Sequence, residues 1–439
     1  MRFLFLLLLT QILPAQQIRV VTYNAAFDLA AERELAASLR DGTNFHARRV
    51  AEIVQIIQPD VLLLNEFDYD AAGTGATRLN DKFFNVSQGA GRIAQNYPYR
   101  YVAISNTGIH TGLDLDNNSG VNDTPGNEIY GGDCLGYGEF PGKYAMAVFS
   151  KFPIDLASVR TFETILWKDQ PGALIPPGYY SEDELTIFRL SSKSHWDVPI
   201  DVNGKVFHFL VSHPTPPVFD GAEDRNGRRN HDEIRLWADY LTPGASDYLG
   251  GGLAEGSRFV IAGDQNADPT RGDSVNTAIN QLLNHPLVDS AFIPVRTGTP
   301  TGTARFDTAT FSLRVDYVLP SKGGFVINNG AVFWPASGED GANLVTVSDH
   351  RPVYLDLEFQ ATAEELVRHL AIERTGDQVT LTWSAEAGAN YGIEMNPDLE
   401  PENWTTVSEP DIEVIDGIAT ASLMISDVSG FLRVRAALD

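Results

Sequence analysis

One cysteine, Cys134, in 439 residues permits no internal disulfide, so packing or bound ions must supply the stability of the fold. Positive charge is scarce as well: 32 Lys and Arg stand against 58 Asp and Glu, a formal charge of −26. A surface of that sign repels anionic polymers at long range and counts against a processive, sequence-indifferent DNA binder. It leaves room for phosphate chemistry wherever a divalent cation inverts the local sign. Long apolar runs are also missing. Phe3 to Leu9 is too short to span a bilayer, and no later stretch reaches that length. With Met1-Arg2 before it and Leu13-Pro14-Ala15 after it, the run reads as a secretory signal at residues 1–15, which predicts a secreted or periplasmic product.

What the chain does have is a succession of apolar runs that stop at polar side chains. Residues 18–26 read as a strand carrying Asn24, and Val61 to Leu64 as a strand buried on both faces that stops at Asn65-Glu66. Residues 144–150 form another, and 207–212 a further one that ends at His213, before Pro214. The run from Phe259 stops at Gly263-Asp264-Gln265-Asn266, and Pro269 forbids its continuation. If that strand persists through Asn266, positions two apart share a face, so Asp264 and Asn266 look at one spot. Asp316 lies inside a strand near 314–319, and Asp349-His350 precede the strand 353–359. Helical spacing covers about 29–57, 232–241 and 274–283, and residues 70–143 hold little regular structure. Arg225, Arg228 and Arg229 fall just ahead of the second helix and Arg235 inside it, a local positive cluster that reads equally as a salt-bridged helix start or a phosphate-facing patch.

Asp114, Asp116 and Asn118 alternate like the oxygen ligands of a calcium loop, although the sixth-position Gly is missing and Pro125 stands where a bidentate Glu belongs. Beyond Ala361 the pattern changes to short alternating runs at 379–383, 391–395, 419–425 and 431–435, with no helix between them. That pattern predicts a small all-β sandwich at 361–439 after one large α/β unit at 18–360.

Each polar strand end taken singly is an ordinary turn residue. Together, Thr22-Tyr23-Asn24, Asn65-Glu66, Ser212-His213, Gly263-Asp264-Gln265-Asn266, Asp316-Tyr317 and Ser348-Asp349-His350-Arg351-Pro352 resemble the endonuclease/exonuclease/phosphatase (DNase I-like) superfamily, as a secreted bacterial member. The resemblance implies a four-layer α/β/β/α sandwich with its active site at one mouth of paired sheets. It implies a metal-dependent phosphoric ester hydrolase, acting on mono- or diesters of small organic phosphates, phospholipid headgroups or nucleic acid. An extracellular nuclease and a non-catalytic phosphate- or surface-binding member are the alternatives. Glu66 is then the principal ligand of Mg²⁺ (or Mn²⁺ or Ca²⁺), with Asn24 and Asp349 close to the ion. Asp264 activates the attacking water, Asn266 donates to transition-state oxygens, His350 held by Asp316 binds phosphate, and His213 protonates the leaving oxygen. The C-terminal run resembles the fibronectin-like modules appended to secreted enzymes, with surface attachment as its expected role.

Overall fold

The computed structural model describes residues 16–360 without a break, and residues 368–438 except 376, 386–388, 397–403, 408–410, 416 and 425–430. The signal segment 1–15 lies outside the described residues. Packing divides the chain into two units, Met1–Phe359 and Gln360–Asp439.

The first unit is built on two sheets. The larger runs in the order β3 (Tyr99–Tyr101), β4 (Met146–Ser150), β2 (Val61–Phe67), β1 (Gln17–Phe27), β12 (Val353–Phe359), β11 (Phe325–Val332) and β9 (Val295–Arg296). The smaller runs β10 (Asp316–Pro320), β8 (Phe259–Asp264), β7 (Lys205–Ser212), β6 (His195–Val202) and β5 (Arg160–Thr161). Side-chain alternation distributes the core. Val20, Val61, Leu63 and Val148 of the large sheet meet Val198, Phe209, Val211 and Val260 of the small one. The opposite face of the large sheet, with Val21, Tyr23, Leu62 and Leu64, packs on Val50, Ile53, Val54 and Ile57 of the helix Phe45–Ile57. The opposite face of the small sheet, with Leu210, Ile261 and Leu319, packs on Ile234, Trp237 and Leu241 of the helix Arg225–Leu241. Helix, sheet, sheet, helix is the four-layer α/β/β/α order that the resemblance implies.

Several boundaries differ from the sequence reading. The segment 29–57 is a short helix Glu34–Ser38 and then Phe45–Ile57, whose N-cap Asn44 accepts from Ala47 N–H. The helix read over 232–241 starts at Arg225, so the four arginines share one helix. The stretch 274–283 resolves into a 3₁₀ turn Val275–Thr277 and one α-turn Asn280–Leu283, broken where Asn276 and Thr277 take positive φ. β6 is absent from the sequence reading because Pro199 interrupts its run, and proline argues against an interior strand. The second unit is a β-sandwich. Its four-stranded sheet follows the order Arg368–Thr375, Gln378–Ser384, Ile418–Met424, Ile412–Ile415, and its three-stranded sheet the order Thr405–Thr406, Ala389–Asn396, Phe431–Leu438. Leu381, Trp383, Ile393 and Ala421 form the core of this unit. Among the described residues no helix is long and apolar enough to cross a membrane.

Candidate active site

The parallel pairs β1–β2 and β7–β8 deliver their carboxyl ends to one mouth of the sheet pair. β8 stops at Gly263-Asp264, where a Cβ on Gly263 would fall 1.9 Å from Ser212 O. Only a residue without a side chain lets β7 and β8 stay this close at φ +146°. Asp264 pairs in register with Asp316 on β10, which sets two carboxylates side by side. The layers are also stitched: Asn65 Oδ1 on the large sheet accepts from Asp264 N–H on the small sheet at 3.2 Å.

Asp264 is the hub. Its Oδ2 accepts from Asn24 Nδ2 at 3.1 Å and lies 3.4 Å from His213 Nε2 and 3.6 Å from His350 Nε2. His350 Nδ1 bonds Asp316 Oδ2 at 2.9 Å, and both side chains are almost wholly buried. Burial raises Asp264, but the neighbouring His350 and His213 outweigh it and hold the carboxyl below its ordinary range. Burial lowers His350, yet Asp316 and Asp264 overcome it and raise the ring to about 10. His213 falls to about 4 through burial and the nearby Lys193 charge. So one ring is an imidazolium at neutral pH and the other is neutral. Asp316 itself rises to about 6 because burial exceeds the attraction of His350.

Glu66 faces the same cavity from the end of β2, at φ +54°. Burial raises it to about 7 against a hydrogen bond from Asn24, and Asp28 and Asp264 add to the rise. Among the described residues it forms no ion pair with lysine or arginine. A half-buried carboxylate near Asp28 and Asp264, open to the cavity, is of the oxygen type that a hard divalent cation takes. One ligand atom each of Asp264, Asp316 and His350 also lie within 4.8 Å of one another. We read that trio as a hydrogen-bonded relay, since Asp316 Oδ2 is already engaged by a protonated ring.

The site residues thus converge, with three differences. Asn266 does not continue the strand: β8 ends at Asp264, and Asn266 turns at φ +52°. It reaches the cavity because its amide N–H donates to Asp264 Oδ1 at 2.9 Å and its Nδ2 to Pro214 O at 3.0 Å. Asn24 is fully buried behind Asp264, where its Nδ2 serves carboxylates while its Oδ1 accepts weakly from Ala26 N–H at 3.3 Å. Asp349 is exposed on the cavity rim, outside the Asp264 trio. The cavity holds about 970 Å³ and is also lined by Lys193, Tyr144 and Arg229.

Lys193 was not legible beforehand. It sits at the turn before β6, only 6% exposed, with Nζ 3.4 Å from Pro214 O. Glu233, Asp264 and Glu66 favour its charge, but burial lowers its pKa on balance. Its one signal is position, directly ahead of a strand that feeds the same mouth, and that strand was hidden by Pro199. Arg229, from the positive helix cluster, is spent on carbonyls instead: Nε donates to Leu190 O and Nη2 to Leu135 O and Arg189 O.

A model of the endonuclease/exonuclease/phosphatase family matches residues 21–350. The chain belongs to the endonuclease/exonuclease/phosphatase family. Members of the family are generally hydrolases acting on phosphate esters, and they include phosphoesterases and nucleases. No curated protein matches the chain. Among solved structures, an endonuclease/exonuclease/phosphatase from Beutenbergia cavernae is 17% identical at TM-score 0.46, covering 96% of this chain and 100% of its own. Sphingomyelinase C from Streptomyces griseocarneus is 17% identical at TM-score 0.39, over 78% of this chain and 99% of its own. The beta toxin of Staphylococcus aureus, with bound magnesium, is 15% identical at TM-score 0.40, over 79% of this chain and 100% of its own.

Proposed function

We propose that this family member is an exported, divalent-metal-dependent phosphoesterase that hydrolyses mono- or diesters by in-line attack of water at phosphorus. The observation that carries the reading is the convergence of Asn24, His213 and His350 on Asp264 Oδ2. Glu66, with Asp349, would hold Mg²⁺, with Mn²⁺ or Ca²⁺ as replacements, and Asn24 orients Glu66 and Asp264 beside it through Nδ2. Bound there, the ion supplies positive charge to a phosphoryl oxygen.

The chain's own groups do the rest. Asp264 stays ionised and is held in one orientation by three neighbours, so it can align a water and take its proton as the new P–O bond forms. His350, charged and anchored by Asp316, offers Nε2–H to a phosphoryl oxygen. Lys193 adds a second positive group on the same wall. His213 is neutral, so it gives a hydrogen bond more readily than a proton, which favours an orienting role over the leaving-group acid expected from the resemblance. The cavity volume and the −26 charge favour compact phosphate esters over long nucleic acid.

The test starts from product recovered from periplasm or medium, whose first residue is expected to be Gln16. It measures turnover of bis(p-nitrophenyl) phosphate, p-nitrophenyl phosphate, sphingomyelin, phytate, nucleotides and plasmid DNA with Mg²⁺. Asp264→Asn and Glu66→Ala should each lower kcat by roughly 10³-fold or more with circular dichroism unchanged. Turnover that survives both substitutions in EDTA rejects the proposal, and retention in the cytoplasm rejects export.

A further inference from the structure

Between β3 and β4 the chain runs from residue 101 to 142 without a lysine or arginine, yet it carries Asp114, Asp116, Asp123, Glu128, Asp133 and Glu139. Three of these acids converge. One carboxylate oxygen from each of Asp114, Asp116 and Asp133 lies within 4.8 Å of the other two. Oxygens bound to one Ca²⁺ at about 2.3–2.6 Å stand at most about 5 Å apart, so all three can reach a single ion as they are.

Acids gathered on a loop are commonly just solvated; Asp133 is different. Its side chain has no exposed surface, and Oδ1 accepts from Leu115 N–H at 2.9 Å. Oδ2 is buried and makes no hydrogen bond of good geometry, and the Asn122 backbone N–H lies near enough to favour the charged carboxylate. The nearest basic atom, His110 Nε2, stops 4.0 Å away and is itself buried and unpartnered. His110 Nδ1 accepts from Gly112 N–H, so the ring is held in place and does not swing in to close that gap. Among the described residues no lysine or arginine pairs with any of the three acids. A buried carboxylate with one oxygen short of a well-formed hydrogen bond, in a side chain that stands within 4.8 Å of two further carboxylates, is a group prepared for a cation.

The backbone is shaped for the same meeting. A Cβ on Gly132 would lie 2.2 Å from Asp116 Oδ2, so the missing side chain lets Asp116 close on the segment that carries Asp133. The third expected ligand is replaced. Asn118 points its Nδ2 at Asp116 Oδ2 at 3.0 Å, while its Oδ1 accepts from Gly120 N–H at 3.0 Å. It is therefore a donor to the cluster, and Asp133, fifteen residues beyond it, takes its place.

We propose that Asp114, Asp116 and Asp133 bind a structural Ca²⁺ ion, distinct from the catalytic cation, that ties the turn at 114–118 to the segment 131–134. Asp116, Gly131, Gly132 and Cys134 line the cavity, so this ion fixes one wall of the space where substrate enters. The site takes Ca²⁺ in preference to Mg²⁺, because three carboxylates from two separate segments suit a large, flexible coordination shell better than a small octahedral one.

Calorimetric titration of CaCl₂ into the full chain carrying Glu66→Ala tests it, since that change removes the principal ligand of the other ion. One Ca²⁺ per chain should still bind. Adding Asp133→Asn should weaken it at least tenfold, and so should Asp116→Asn, whose less buried position guards against a misfolded Asp133 variant. Loss of all Ca²⁺ binding in Glu66→Ala overturns the proposal. So does unchanged binding in both Asn variants, or Mg²⁺ binding there as tightly as Ca²⁺.

Discussion

His350 and Asp264 hold opposite protonation states by mutual support, and that coupling has a pH signature. The folded value of His350, about 10, exceeds its ordinary 6.5. Its contribution to stability is therefore complete below 6.5 and is lost as pH rises through about 10. Asp264 runs the other way: its contribution is present above 3.8 and disappears as pH falls toward its lowered value. Asp316 is the residue that decides the first half, through its 2.9 Å bond to Nδ1. Asp316→Asn keeps the shape and removes the charge, so His350 should return toward its unperturbed range. The ring, proposed to face the phosphate, should then lose its proton near neutrality, and kcat/KM at about pH 8 should drop roughly tenfold or more, with a much smaller loss at about pH 5.5. A full pH–rate profile checks this; an alkaline limb that stays where it was means that Asp316 does not set the charge of His350.

At the scale of the element, what was legible was where strands stop. Asn24, Glu66, His213, Asp264 and His350 are each read correctly as residues at strand mouths, because an apolar run broken by a polar residue is a local signal. What stayed hidden depended on neighbours far along the chain. Strand alternation points Asn266 at the site, yet it sits in a left-handed turn and reaches the site through bonds to Asp264 and Pro214. Lys193 gave no periodic signal, and Asp133 lies too far from Asp114 to belong to any loop motif. The arginine cluster was visible, but only packing showed that Arg229 is committed to three carbonyls. Gly263 links local signal to tertiary demand most directly, since the turn it permits places Asp264 against β7. Gly263→Ala forces a Cβ into Ser212 O and should destabilise the first unit by about 3 kcal/mol or more. Urea unfolding followed by tryptophan fluorescence measures it; a loss under about 1 kcal/mol shows that β7 and β8 can separate without cost to the fold.

Across the whole molecule, a net charge of −26 has to be squared with a cavity that, on the proposed function, takes an anion. The two fit together only if attraction is short-range and repulsion long-range. Inside, on that proposal, His350, Lys193 and the expected cation would act on a phosphate at close quarters, where little water screens them. Outside, a small ester meets a modest opposing field, whereas a long polyanion meets that field along its whole length. Salt should therefore separate the substrate classes. At fixed Mg²⁺, raising monovalent salt from about 10 to about 150 mM shortens the screening length from roughly 30 Å to about 8 Å. The kcat/KM for plasmid DNA should then rise several-fold, while that for bis(p-nitrophenyl) phosphate should change less than about twofold. A fall in the DNA rate with salt would be the behaviour of a basic binding track, and it would move the substrate assignment from compact esters to nucleic acid.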